Sequence, residues 1–280
     1  VVAVGEATIV YDKEGNEIDQ YVSTNSNRLS VGMDEIPDYM GKAFVAIEDE
    51  RFYQHNGIDF KSILRAGYQF LKTGGEEAQG ASTITQQLLK NTVFTDWTSE
   101  GNNKIKKIKR KIQEQYLALE ITKYYSKDEI LLRYMNAINL GQNTLGVESA
   151  SLRYFGKHCS DLTISECAVI ASITQNPSKY NPIRHPEENA KRRDTCLNKM
   201  LELGFISQAQ YDEAMADTDA VYERIGLYDI DYQEANATTG SYFSDAVYEQ
   251  VKQDLILSGY NEAMADCVWN PLWIPRFKQF

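Results

Sequence analysis

Two glutamates stand inside dense polar motifs. Glu48 opens EDERFYQHNGID (48–59), and Glu114 lies in RKIQEQYLALE (110–120). A carboxylate placed directly after an apolar run, here AFVAI at 43–47, can act as a base toward a hydroxyl. A second carboxylate set among Arg110, Lys111 and further cations can organise an anionic leaving group. Between the two lies GASTITQQLLKN (80–91). Thr83 and Gln86 match a capping box. Thr83, Gln87 and Lys90 fall at i, i+4 and i+7, a stripe of hydroxyl, amide and ammonium groups. With Ser82 beside it, a helix start so furnished suits an oligosaccharide or a diphosphate.

Each motif also has an ordinary structural reading. Glu48, Phe52 and His55 sit at i, i+4 and i+7, so a continuing helix would put them on one side next to Asp49; a helix-end carboxylate with a packed Phe and His does the same. Arg110 and Glu114 at i, i+4 form a common helix-surface pair that contributes only about 0.3–0.5 kcal/mol.

The elements that must position these groups are mostly helical. Residues 7–22 read as a β-hairpin turning at Glu14–Asn16. Met40, Phe44 and Ile47 then mark one helix face after Ile36-Pro37, and a second helix at 60–71 ends at Gly74-Gly75. The polar stretch 72–80 reads as a mobile loop. Further helices are expected at 83–91, 104–123, 126–136, 146–155, 163–173, 187–203, 207–216 and 241–257, with irregular acidic chain from 217. In 104–123 the row Ile105, Ile108, Ile112, Tyr116 and Leu119 is expected to face the core.

Composition narrows the function classes. The chain has 280 residues, 42% of them apolar and 25% charged, as in globular proteins. A net charge of −11 argues against a nucleic-acid binder. Yet KIKKIKRK at 104–111 puts six basic residues in eight, a local site for phosphate or an anionic surface. The four cysteines have no metal spacing and read as core residues without a disulfide. No run is long enough to span a bilayer. The chain starts at Val1, as expected of an excised or mature fragment that has lost an N-terminal anchor.

In this order and at these separations, EDERFYQHNGID, GASTITQQLLK and RKIQE resemble the first three motifs of glycosyltransferase family 51, the peptidoglycan glycosyltransferase domain of class A penicillin-binding proteins. SKDEILLRYMN (126–136) looks like the fourth motif and GVESASLRYFGK (146–157) like the fifth. One departure is visible, since Leu132 stands where the family usually has glutamate. The resemblance implies a lysozyme-like, two-lobed helical domain of head and jaw at 31–216. A hairpin linker at 1–30 precedes it, and a linker with the truncated start of a transpeptidase domain at 217–280 follows. No serine is followed three residues later by lysine, so the transpeptidase nucleophile motif is missing.

The implied reaction is inverting polymerisation of lipid II into β-1,4-linked strands with release of undecaprenyl diphosphate, at the extracytoplasmic face of the bacterial membrane. Glu48 would be the base. Glu114 would hold the donor diphosphate through its network or through Mg²⁺ or Mn²⁺, with no organic cofactor. Asp49, Phe52, His55, Ser82, Thr83, Gln86, Gln87, Lys90, Arg110 and Lys111 would bind substrate. The implied partners are lipid II, the nascent strand, the membrane surface and moenomycin-type inhibitors. Val93, Phe94 and Trp97, followed by Lys104, Lys106, Lys107 and Lys109, are the expected membrane contact. Two rivals stand beside this reading. A lytic muramidase explains Glu48 but not the basic helix, and a non-catalytic envelope scaffold explains neither glutamate.

Overall fold

The computed structural model describes residues 8–11, 17–21, 29–73, 80–94, 104–142 and 144–228, with the single positions 230 and 257. The hairpin turn, most of the 72–80 loop, Trp97, Cys267 and the expected helix at 241–257 lie outside the described residues, except Leu257. Strands β1 (Thr8–Tyr11) and β2 (Glu17–Tyr21) pair antiparallel. The rest of the described chain is helical: α1 (Asp38–Glu48), α2 (Phe60–Lys72), α3 (Ile84–Thr92), α4 (Lys104–Ile121), α5 (Lys127–Ala137), α6 (Val147–Phe155), α7 (Ile164–Ala171), α8 (Pro186–Glu202), α9 (Gln208–Ala216) and α10 (Thr218–Glu223).

These helices pack in two groups. Helix α1 packs on α7 and α8, and α9 and α10 join them; α3 packs on α4 and α5, and the groups meet where α1 touches α5. Met40 and Phe44, one turn apart on α1, are fully buried, with Ala43, Val45 and Ala46 beside them. Truncating such a phenylalanine costs about 3–5 kcal/mol. The exposed Lys42–Asp38 pair on the same helix contributes under about 1 kcal/mol. Core packing therefore fixes α1 and the glutamate at its end. Helix α7 is apolar and fully buried from Cys167 to Ala171, carries the buried polar pair Ser165 and Glu166 in its first turn, and packs against α1 and α8. Cys159, Cys167 and Cys196 are buried free thiols. Arg193 is also fully buried: it donates to Ser165 Oγ on α7, Ala214 O on α9 and Thr218 Oγ1 on α10, and pairs with Asp194.

Helix starts follow local chemistry. Thr83, Ser126, Thr163 and Ser207 each cap a helix reciprocally with the Gln or Glu three residues on. Leu132, the departure in the fourth motif, packs against the core.

Three expectations are corrected. Helix α1 stops at Glu48, where Asp49 leaves helical geometry at φ −157°, ψ 70°, so Phe52 and His55 are not on its continuing face. A separate short turn, Phe52–Gln54, carries Phe52 into the core instead. On α4 most of the expected apolar row is turned outward, with Leu119 alone of its described positions packing on the core. Ile108, Ile112 and Tyr116 are exposed, whereas Glu114, Ala118 and Ile121 face inward. The inward face of α4 is set instead by the Glu114 carboxylate at the cleft and by the Gly57 loop lying directly on the Ala118 backbone, so periodicity misassigned the face. Helix α10 occupies chain read as irregular; one buried side chain, Val221, gives no periodic signal.

Candidate active site

Both glutamates line one cleft of about 560 Å³, bounded by the end of α1, the starts of α2 and α3, the middle of α4, and α8. Of the expected site residues, Glu48, Asp49, Ser82, Thr83, Gln86, Gln87, Lys90, Lys111 and Glu114 are on its wall. Phe52, His55 and Arg110 are not on that wall, and each acts from behind it.

Glu48, at the C-terminus of α1, receives three donors from three elements. Gln87 Nε2 on α3 donates to its Oε2 at 2.8 Å. Thr174 Oγ1, after α7, donates to Oε1 at 2.6 Å, and Arg192 Nη2 on α8 donates to the same oxygen at 2.8 Å. Gln87 is itself held, since Tyr134 OH on α5 donates to its Oε1 at 3.1 Å. Burial pushes the Tyr134 phenol well above its ordinary pKa, which keeps it a donor.

Asp49 turns the other way. It accepts the Ile84 amide at 3.1 Å and His55 Nε2 at 2.9 Å. The first free amide of α3 is thus taken by a side chain of the protein, and Gln86 Oε1 takes the Thr83 amide at 2.9 Å. Thr83 Oγ1 donates to Gly57 O at 2.6 Å. The α3 start is therefore a structural joint between the first two motifs as well as part of the cleft wall. Asp59 closes the loop before α2. Burial works against its carboxylate, but the Arg51 fork and the Ser62 amide outweigh that and bring its pKa down to about 2.

Glu114 is fully buried. Lys111 Nζ donates to its Oε2 at 2.9 Å and Arg110 donates to Oε1. Lys111 also reaches across to Ser82 Oγ at 2.8 Å, tying α4 to the segment before α3. Such an array, a buried carboxylate holding two cations at a cleft wall, aims positive charge at a fixed place. It does not suit the expected Mg²⁺ or Mn²⁺. Both carboxylate oxygens already face cations, and among the described residues no three His, Cys, Asp or Glu groups converge on a metal position.

Arg192, Thr174, Tyr134 and Lys199 were not found from the sequence. Arg192 and Lys199 sit in HPEENAKRRDTCLNKM, whose mixed charge reads as a solvated helix. The one local hint is the Arg192-Arg193 pair, of which one side chain is fully buried. Lys199 meets Glu50 at 3.4 Å from one side and Arg65 meets it at 3.4 Å from the other, so a second cationic wall stands near the Glu48 end.

The helical domain thus holds a two-carboxylate cleft, one carboxylate met by amide, hydroxyl and guanidinium donors and the other by cations. Residues 14–201 match the family model described as Transglycosylase. The chain is 41% identical to penicillin-binding protein 1A of Clostridium perfringens (strain 13 / Type A) over 262 residues, 91% of this chain and 37% of that protein. It is 38% identical to penicillin-binding protein 1F of Bacillus subtilis (strain 168), covering 89% of this chain and 32% of that protein. A crystal structure of penicillin-binding protein 1A from Haemophilus influenzae aligns with a TM-score of 0.43 at 21% identity, over 93% of this chain and 26% of that one. The chain belongs to the transglycosylase family. It spans about a third of the length of the curated relatives it matches.

Proposed function

We propose that this domain is a peptidoglycan glycosyltransferase that polymerises lipid II, with inversion at the anomeric carbon, and releases undecaprenyl diphosphate at the extracytoplasmic face of the cell membrane. The observation that carries the reading is the shared cleft, with Glu48 at one end and the Glu114–Arg110–Lys111 array at the other. Glu48 takes the proton of the acceptor hydroxyl, whose oxygen attacks the donor anomeric carbon. Lys90 and Lys111, on the cleft wall, meet the charge that builds on the diphosphate as its bond breaks, and Arg110 supports them from behind through Glu114. Glu114 holds two of these cations in place. A hydrolytic site acting on an uncharged glycan linkage would have no use for that end.

The polyprenyl tail of such a substrate stays in the bilayer, so the cleft works beside lipid. Among the described residues no helix is long and apolar enough to cross a membrane. Two helices nevertheless carry exposed apolar rows: Phe60, Leu64 and Tyr68 on α2, and Ile108, Ile112 and Tyr116 on α4. We assign the membrane contact to these rows. Phe94, from the expected contact segment, is half-buried against the core.

The test is Glu48→Gln with labelled lipid II. Loss of a general base lowers the rate by about 10²–10⁴-fold, with the folded circular dichroism spectrum kept because side-chain volume is unchanged, although an amide accepts on one side only and gives up part of the donor set on Glu48. Strand elongation close to the wild-type rate would remove Glu48 from the role of base. Cleavage of finished strands would point to a lytic enzyme instead.

A further inference from the structure

The three donors on Glu48 are distributed unevenly between its two oxygens. Oε1 accepts from both Arg192 Nη2 and Thr174 Oγ1, which fills its two acceptor positions. Oε2 accepts only from Gln87 Nε2 among the described residues. We propose that Arg192 is a positioning residue of this site: it anchors Oε1 of the Glu48 carboxylate and leaves Oε2 to take the proton of the incoming hydroxyl. The assignment rests on Glu48 being the base.

Arg192 is built to hold still. Its Nε donates to Ser172 O at 3.1 Å while Nη2 donates to Glu48, and its guanidinium lies 5.1 Å from the Tyr180 ring centroid. Two bonds from one planar fork, plus a stacked face, fix both the distance and the direction of the charge. Thr174 cannot replace it. The single Thr174 hydroxyl proton is shared between Glu48 Oε1 and Ala171 O at 2.9 Å, so the arginine supplies the one donor committed to Oε1. On the other side Gln87 cannot rotate its amide without losing both Glu48 and Tyr134. The carboxylate is thereby held in one rotation, with its less occupied oxygen fixed.

The chemical step balances on this geometry. The acceptor O–H bond breaks and its proton goes to Glu48 Oε2. The oxygen's electron pair forms the new bond to the donor anomeric carbon, and the bond from that carbon to the diphosphate breaks with its pair leaving on the diphosphate. Arg192 lines the cleft, takes no proton in this step and acts through the carboxylate it holds. Its loss frees the carboxylate to turn, and misplacing a reacting group by about 1 Å costs on the order of 10²-fold in rate.

The experiment compares Arg192→Ala, Arg192→Lys and Glu48→Gln in the full chain, with labelled lipid II. Arg192→Ala is expected to lower kcat by about 10²-fold while KM changes less than about threefold. Arg192→Lys falls between, because an ammonium cannot bond Ser172 O and Glu48 in the same planar geometry. Millimolar guanidinium should restore much of the lost rate to Arg192→Ala and none to Glu48→Gln. Arg192→Ala retaining wild-type kcat overturns the proposal. So does a loss that guanidinium leaves untouched in a variant with a lowered unfolding midpoint, since Arg192 would then be packing support. Should the alanine variant not fold, Arg192→Lys at the full wild-type rate overturns it equally. An active Glu48→Gln takes down the base reading itself, whatever Arg192 does.

Discussion

At the scale of single residues, the site is organised by ionic groups that already have partners. Lys111 shows the consequence. Its ammonium bonds Glu114 and Ser82 at once, yet its side chain is 42% exposed, so it can still turn a proton toward a ligand in the cleft. Lys111→Ala should weaken a moenomycin-type, phosphate-bearing inhibitor by about tenfold, the lower end for a charged hydrogen bond at a half-exposed site. A phosphate-free glycan fragment should bind unchanged. Titrations showing equal losses for both ligands would make Lys111 purely structural. Lys127 behaves differently. Its Nζ sits 4.3 Å over the Phe52 ring, buried and without a hydrogen-bond partner among the described residues. Burial pulls its pKa down from 10.5 to about 8, with Asp49 pulling weakly the other way. Below pH 8 both folded and unfolded chains carry the proton. Between about 8 and 10.5 the unfolded chain binds more protons, so stability rises with pH there. Urea unfolding at pH 7.5 and 9.5 should show that gain in the wild type and its loss in Lys127→Met. A gain of the same size in both proteins would assign it to other groups.

At the scale of elements, the joints between motifs depend on close backbone approach. Gly57, at φ +89°, accepts from Thr83 and lies against α4; a Cβ there would sit 2.1 Å from Ala118 O. Gly57→Ala therefore meets both a left-handed backbone and an immovable neighbour, and should cost more than about 1–3 kcal/mol. A melting temperature within a degree of wild type would show that the loop and α4 can separate freely. The helices themselves were readable from the sequence because Met40, Phe44, the Thr83–Gln86 box and the apolar run in α7 are local signals. The facing of α4 was not. Its apolar stripe is genuine, but only long-range contacts decide that Glu114 and Ala118 turn inward. Arg192, bound to a glutamate 144 positions away, left only the Arg192-Arg193 pair as a local trace for the same reason. For Asp49 the sequence shows a charge beside Glu48 and not the Ile84 amide and His55 ring that it holds.

At the scale of the whole molecule, the outward rows on α2 and α4 are the feature that folding leaves unsatisfied. Phe60, Leu64, Tyr68, Ile108, Ile112 and Tyr116 are each 61–74% exposed, on helices whose other apolar side chains, such as Ile63, Ala118 and Ile121, pack on the core. Full burial of one such side chain is worth about 1.5–3 kcal/mol. Lys106, Lys107 and Lys109 are exposed on α4, and each lysine adds about 1 kcal/mol near anionic headgroups. Together these suit a surface that lies on lipid without spanning it. Two double variants, Leu64→Ser/Tyr68→Ser and Ile108→Ser/Ile112→Ser, should each lower binding to phosphatidylglycerol-containing vesicles by at least about tenfold while melting as the wild type does. Phe94→Ser, which removes a half-buried group packed on the core, should lower stability and leave vesicle binding of the folded fraction intact. Undiminished co-sedimentation of both double variants would mean that the domain meets the membrane by another face, and the rows on α2 and α4 would then need a different cover.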